Sequence, residues 1–157
     1  MKPPCDTLRL GKQSRDNLIK IKRITGIEHW NIICRWAFLI SVREPTNPVV
    51  PPEASDGGVE IAWKVFAGDL AESLSALLFH RLAHDCNDLH ADAGPALRAH
   101  VTRGLGYLAS GTETRSISDF VRRWGITNSK HASHTNHNSP SPHATTTLLH
   151  QRLQEPA

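Results

Sequence analysis

Between Thr7 and Trp124 the hydrophobic positions change period several times, and each change predicts an element. Thr7-Leu8-Arg9-Leu10 alternates polar and apolar, as a short strand does, with Leu8 and Leu10 inward, Thr7 and Arg9 outward, and Gly11 closing it. From Lys12 to Thr25 the spacing becomes helical, and Gly26 is a natural stop. At about 100° per residue, Leu18, Ile21 and Ile24 share one face, while Lys12, Arg15, Lys20, Lys22 and Arg23 spread over the other. Ile19 falls in the middle of that basic side, as a partner contact or as a tolerated exposed residue. A second helix, from about Glu28 to Val42, is apolar around most of its circumference, with only Glu28, Asn31 and Arg35 as a polar strip. A helix apolar nearly all round must be buried nearly all round. In so small a chain this predicts self-association, with Trp30, Ile33, Trp36, Ala37 and Ile40 as the interface.

Pro45, Pro48, Pro51 and Pro52 then predict a stiff, extended connector, and Asp56-Gly57-Gly58 a turn. Val59, Ile61, Trp63 and Val65 alternate as in a strand, although Trp63-Lys64-Val65-Phe66 also suits a helix start. Leu70, Leu74, Leu77, Leu78 and Leu82 stripe a helix running to about Cys86. Pro95 opens another, continuing through Leu97, Val101, Leu105 and Leu108 to Ser110, in which Gly104 and Gly106 mark close packing or a local break. Ile117 to Trp124 is a last short helix, stopped by Gly125. The chain is thus read as mainly α. One domain covers 1–125, made of a strand-helix-helix unit (1–44), a Pro-rich connector (45–58) and a β element with further helices (59–125). Residues 126–157, rich in His, Ser, Thr and Asn, read as a disordered tail.

Composition sharpens this picture in three ways. The 157 residues suit one domain, and no apolar run approaches the roughly 18 residues of a membrane span, so a cytoplasmic protein without a membrane partner is expected. The formal charge of +3 is uneven: residues 1–44 hold nine Lys/Arg against four acids, a local +5, whereas the remainder holds nine against eleven. Local basicity of this kind points to one polyanion-facing element. Cys5, Cys34 and Cys86 lie far apart without a C-x-x-C pair, and read as unpaired thiols.

Strand, basic helix, Thr25-Gly26 turn and apolar helix follow the order of a ribbon-helix-helix unit. There two chains pair their strands into a ribbon that enters a DNA groove. On that reading Arg9, Lys12, Arg15, Lys20, Lys22 and Arg23 contact DNA, and the first turn of the second helix (Glu28, His29, Trp30) offers amides to a phosphate. A solvated basic helix accounts for the same residues equally well on composition. His80 and His84 share a helix face, with Asp85, Cys86, Asp88 and His90 nearby, but the H-E-x-x-H arrangement is missing, so a polar face is favoured over a metal site. Five of the ten histidines (131, 134, 137, 143 and 150) lie irregularly in the tail and carry no metal-ligand pattern. No phosphate loop, dinucleotide fingerprint or nucleophile elbow is found, and neither catalysis nor a cofactor is expected.

The run from Leu8 to Phe38 (LRLGKQSRDNLIKIKRITGIEHWNIICRWAF) resembles the DndE family of DNA sulfur-modification proteins. Three further blocks agree: Glu44-Pro45 with its prolines, Glu60 to Gly68 (EIAWKVFAG), and Arg103 to Ala109 (RGLGYLA). The resemblance spans about Leu8 to Val121 and departs from the pattern after Leu82 and beyond Gly125. It implies a small non-catalytic, DNA-binding member of the phosphorothioation machinery, which replaces a non-bridging phosphate oxygen of DNA with sulfur. It further implies duplex and nicked-duplex binding as an oligomer, dimer or tetramer. The sulfur chemistry would belong to partner proteins: a cysteine desulfurase, an iron-sulfur protein and an ATPase. The rival readings are a ribbon-helix-helix repressor reading an operator through Thr7 and Arg9, and an adaptor using Trp63 to Gly68 and the Leu70 helix.

Overall fold

The computed structural model describes residues 3–52, 57–86, 92–111 and 116–125. The tail from 126, Asp56, Asp88, His90 and the side chain of Cys86 lie outside the described residues. Among the described residues two strands and six helices follow one another: β1 (Thr7–Leu10), α1 (Lys12–Thr25), α2 (Trp30–Val42), β2 (Val59–Ala62), α3 (Trp63–Ala67), α4 (Ala71–Cys86), α5 (Ala93–Ser110) and α6 (Ile117–Trp124). A single 3₁₀ turn, Gly68–Leu70, joins α3 to α4. The mainly helical fold with one small β element is the one expected.

Local chemistry explains most boundaries. Gly11 is extended ahead of α1, and Gly26 ends that helix at φ 72°, its amide donating to the Lys22 carbonyl at 2.8 Å. A side chain at Gly26 would be strained in this left-handed conformation. Asp92 and Ser116 cap α5 and α6 by accepting from the amides of Gly94 (3.1 Å) and Asp119 (3.2 Å). The ambiguous stretch after Gly58 realises both readings in succession, since β2 ends at Ala62 and α3 begins at Trp63.

The strand partner differs from the ribbon-helix-helix expectation. β1 pairs antiparallel with β2 of its own chain, setting Leu8 opposite Ile61 and Arg9 opposite Glu60. Leu8 and Leu10 are buried beneath the ribbon as expected. The physical reason is that the chain holds a second strand of matching pattern: Val59 and Ile61, buried opposite Leu10 and Leu8, supply the ladder partner that a second chain would otherwise provide.

α2 also meets its needs largely within the chain, because α5 lies along it in the most extensive contact among the described helices. Gly104 lets the two backbones touch: a Cβ there would collide with the Ala37 carbonyl and stand 2.7 Å from its Cα. α5 is continuous through both glycines, so Gly104 marks close packing, not a break. Ile33, Ala37 and Ile40, expected at a subunit interface, are therefore in the chain's own core, at 0%, 0% and 4% exposure. Trp30 and Trp36 are half-buried, Trp36 packing edge-on against Phe120 of α6 at 5.2 Å. The apolar positions that α2 leaves exposed are Ile32 and Leu39.

Three arginines hold the end of α2 and the connector. Arg103 donates to the Ser41 hydroxyl (2.8 Å), the Ser41 carbonyl (2.6 Å) and the Thr46 carbonyl (2.7 Å). Arg81 reaches the carbonyls of Val42 and Pro45 at 3.3 and 3.1 Å, and Arg98 that of Pro51 at 3.4 Å. Proline has no amide to offer, and these carbonyls lie outside the regular elements or at the end of one, so the guanidinium groups supply the missing donors. Buried His100 completes the cluster, its Nδ1 lying 3.0 Å from Ser41 Oγ. Burial, then Arg103 and Arg81, push its pKa down to about 4, so the ring is neutral at about pH 7.

Candidate nucleic-acid interface

α1 packs through Ser14, Leu18, Ile21 and Thr25 and turns Lys12, Arg15, Lys20, Lys22 and Arg23 outward. Among the described residues none of these five cations forms an ion pair with a carboxylate. The contrast with Arg81 and Arg103 is informative: the fold uses those cations to bind its own carbonyls and leaves Lys12, Lys22 and Arg23 in solvent. Like charges one turn apart repel, so a face of this kind is a cost in the free protein that a polyanion relieves.

The six expected contact residues do not have equal standing. Lys12, Lys22 and Arg23 are on the outer side of α1, and Arg15 makes one long hydrogen bond, 3.5 Å to the Gly57 carbonyl. Lys20 has a structural task, donating at 2.7 Å to the Ala109 carbonyl in the last turn of α5, where a cation suits the helix dipole. Arg9 lies on the outer face of the ribbon, opposite Glu60, its Nε 3.2 Å from the carboxylate. Its charge is thus partly neutralised by a cross-strand partner that the sequence alone does not place there.

Beside the basic face, an open cleft of about 370 Å³ is lined in part by Lys22, Glu28, His29, Trp30, Asn31 and Glu60. His29 occupies the N-cap of α2 without a side-chain cap bond, and the Asn31 amide reaches the Val65 carbonyl at 3.0 Å. The expected first-turn amides of α2 are therefore next to Lys22, but Glu28 and Glu60 share the cleft and oppose an anion there. This neighbourhood is not visible in the sequence, because Glu60 and Val65 come from a segment some thirty residues away.

The remaining candidate chemistry is placed as follows. His80 and His84 are exposed on α4, and His84 Nδ1 lies 3.2 Å from Asp85. Asp85 is engaged by Arg81 at 2.7 Å. Its burial alone would raise its pKa, but the bonds from Arg81 and His84 hold it below the usual carboxylate range. Among the described residues no group of three metal-ligating side chains forms. Burial pushes the Cys34 thiol up to about 12, and burial with Asp6 and Asp92 raises that of Cys5. No described helix is long and apolar enough to cross a membrane.

These features define a small, mainly helical protein that presents a basic helix. Residues 7–116 match the family model of the DNA sulphur modification protein DndE, and the chain belongs to that family. The crystal structure of DndE from Escherichia coli B7A, involved in DNA phosphorothioation modification, is similar to it with a TM-score of 0.54 and 25% identity. The match covers 66% of this chain and 96% of that one. No curated protein matches the chain.

Proposed function

We propose that this chain is a non-catalytic DNA-binding component of a DNA phosphorothioation system, holding duplex and nicked duplex by the phosphates along α1. Family membership supports its involvement in sulfur modification. The observation that carries the DNA-binding role is the outward set Lys12, Arg15, Lys22 and Arg23, which the fold leaves without carboxylate partners among the described residues. Phosphate contacts of this type are sequence-independent, and weak sequence preference follows. Burial raises the thiol pKa of Cys5 and Cys34, so neither is poised as a thiolate to carry sulfur. On this reading the sulfur chemistry belongs to partner proteins in the cytoplasm: a cysteine desulfurase, an iron-sulfur protein and an ATPase. Self-association, as a dimer or tetramer, is assigned to the exposed stripe of α2, Ile32 and Leu39 beside half-buried Trp36.

The repressor reading needs Thr7 and Arg9 free on a two-chain ribbon, and the Arg9–Glu60 pair speaks against it. Exposed Val65 and Leu70 favour an additional adaptor surface for the partner proteins.

The test is fluorescence anisotropy on intact, nicked and single-stranded DNA across a salt series. Removing one cation that neutralises a phosphate should make the salt slope shallower by about 0.9. The triple variant Lys12→Glu, Lys22→Glu, Arg23→Glu spares the α5 anchor Lys20, and should abolish binding at low salt while keeping its circular dichroism. Retained affinity in the folded triple variant refutes the assignment.

A further inference from the structure

One residue on the basic face is of the wrong chemistry for a phosphate surface. Ile19 is 48% exposed. Residues three and four apart are neighbours on a helix, so those around Ile19 are Arg15, Asp16, Lys22 and Arg23, three of the four cationic. Being β-branched, it is also stiff and projects in essentially one rotamer from α1. The long cations around it are flexible and reach past it toward phosphates. A rigid apolar group in their midst then faces whatever lies between the phosphates.

In an intact duplex that space offers polar base edges and sugars, because the apolar faces of the bases are covered by stacking. Where one strand is interrupted the helix bends easily, a stacked step opens, and an apolar base face becomes accessible. Branched aliphatic side chains are able to wedge between bases at opened steps. We propose that Ile19 is a wedge that packs on the base face exposed at a strand discontinuity, and is the residue by which this surface prefers interrupted to intact duplex. The inference rests on the DNA-binding reading of α1 and adds to it a determinant of substrate form.

The experiment measures Ile19→Ala and Ile19→Leu against wild type on intact, nicked and one-nucleotide-gapped duplexes. A 2-aminopurine placed beside the discontinuity reports unstacking. Ile19 is exposed, so both variants should fold, and sedimentation should show the wild-type oligomeric state. With about 0.8 kcal/mol for each methylene-sized group buried, three such groups removed and half of the side chain already covered, Ile19→Ala should lower the nicked-to-intact affinity ratio about sevenfold. Its salt slope should not change, since every phosphate-facing cation is still present. Ile19→Leu should retain most of the ratio, and the 2-aminopurine signal seen with wild type should fall with Ile19→Ala. An unchanged ratio and signal in Ile19→Ala, or no preference for interrupted DNA in wild type, overturns the wedge while leaving the basic face intact as a duplex-binding surface. A changed oligomeric state in Ile19→Ala also overturns it, assigning the residue to a subunit contact. No binding of wild type to any DNA removes the underlying reading instead.

Discussion

Replacing Gly104 with alanine forces a methyl group directly against the backbone of Ala37. The new Cβ would overlap the Ala37 carbonyl and stand 2.7 Å from Ala37 Cα, whereas carbon–carbon contact is optimal at about 3.5–4.0 Å. Neither neighbour is a flexible side chain, so the collision is relieved only by parting α2 and α5, by about 1 Å where they cross if that optimum is to be restored. Ile33, Phe38, Val101 and Leu105, all at 0% exposure, would then pack less closely along the seam. A gap of roughly 0.5–1 Å already forfeits a quarter to a half of each van der Waals well. Overpacking an ordinary core costs about 1–3 kcal/mol, and backbone against backbone belongs at the upper end. Alanine regains about 1 kcal/mol of helix propensity, leaving a net loss of about 2 kcal/mol. For a domain of this size the melting temperature should fall by about 8 °C. Gly106, two residues on in the same helix, has nothing within 4 Å of an added Cβ. Gly106→Ala should therefore stabilise by about 0.4–1 kcal/mol. Urea and thermal unfolding followed by circular dichroism compare the two variants. If both shift in the same direction, or Gly104→Ala matches wild type, the close approach of α2 to α5 is refuted.

Two further outcomes test the electrostatics. The unfolded chain protonates His100 near 6.5 and the folded chain at about 4, so between those values the unfolded state binds more protons and stability falls as pH falls. That shift is worth roughly 3 kcal/mol before screening, and a loss of about 2 kcal/mol between about pH 6.5 and 4 is expected in urea midpoints. A His100→Gln variant should show a flatter profile, and an unaltered one would assign the acid sensitivity to other groups. Glu60→Gln releases Arg9 from its cross-strand partner, so DNA affinity should rise and the salt slope steepen by about 0.9. Stability should change by less than about 1 kcal/mol, since both partners are exposed, and an unchanged slope would show that Arg9 does not reach phosphate.

Much of the fold is written in single elements. The bounds of α1, the exposure of Ile19 between its cations and the last helix from Ile117 to Trp124 each depend on periodicity and end signals within about fifteen residues. The Leu8–Leu10 alternation likewise told which face of β1 is buried. The basic site was legible for the same reason, because the spacing of Lys12, Arg15, Lys22 and Arg23 on one helix is enough to place them on one side of it.

What tertiary structure decided was partnership. An apolar circumference on α2 told that the helix must be covered, but Ile33, Ala37 and Ile40 look the same in sequence whether a second chain or α5 covers them. The answer lies in Gly104, far along the chain, whose missing side chain lets α5 approach closely enough to do so. In the same way Arg9 reads as a free contact until Glu60 is brought opposite it, and Lys20 as one more cation until the end of α5 arrives beside it. Periodicity encodes which side of an element is dry, whereas the identity of the neighbour depends on contacts between residues far apart in the chain, and these exist only once the chain has folded.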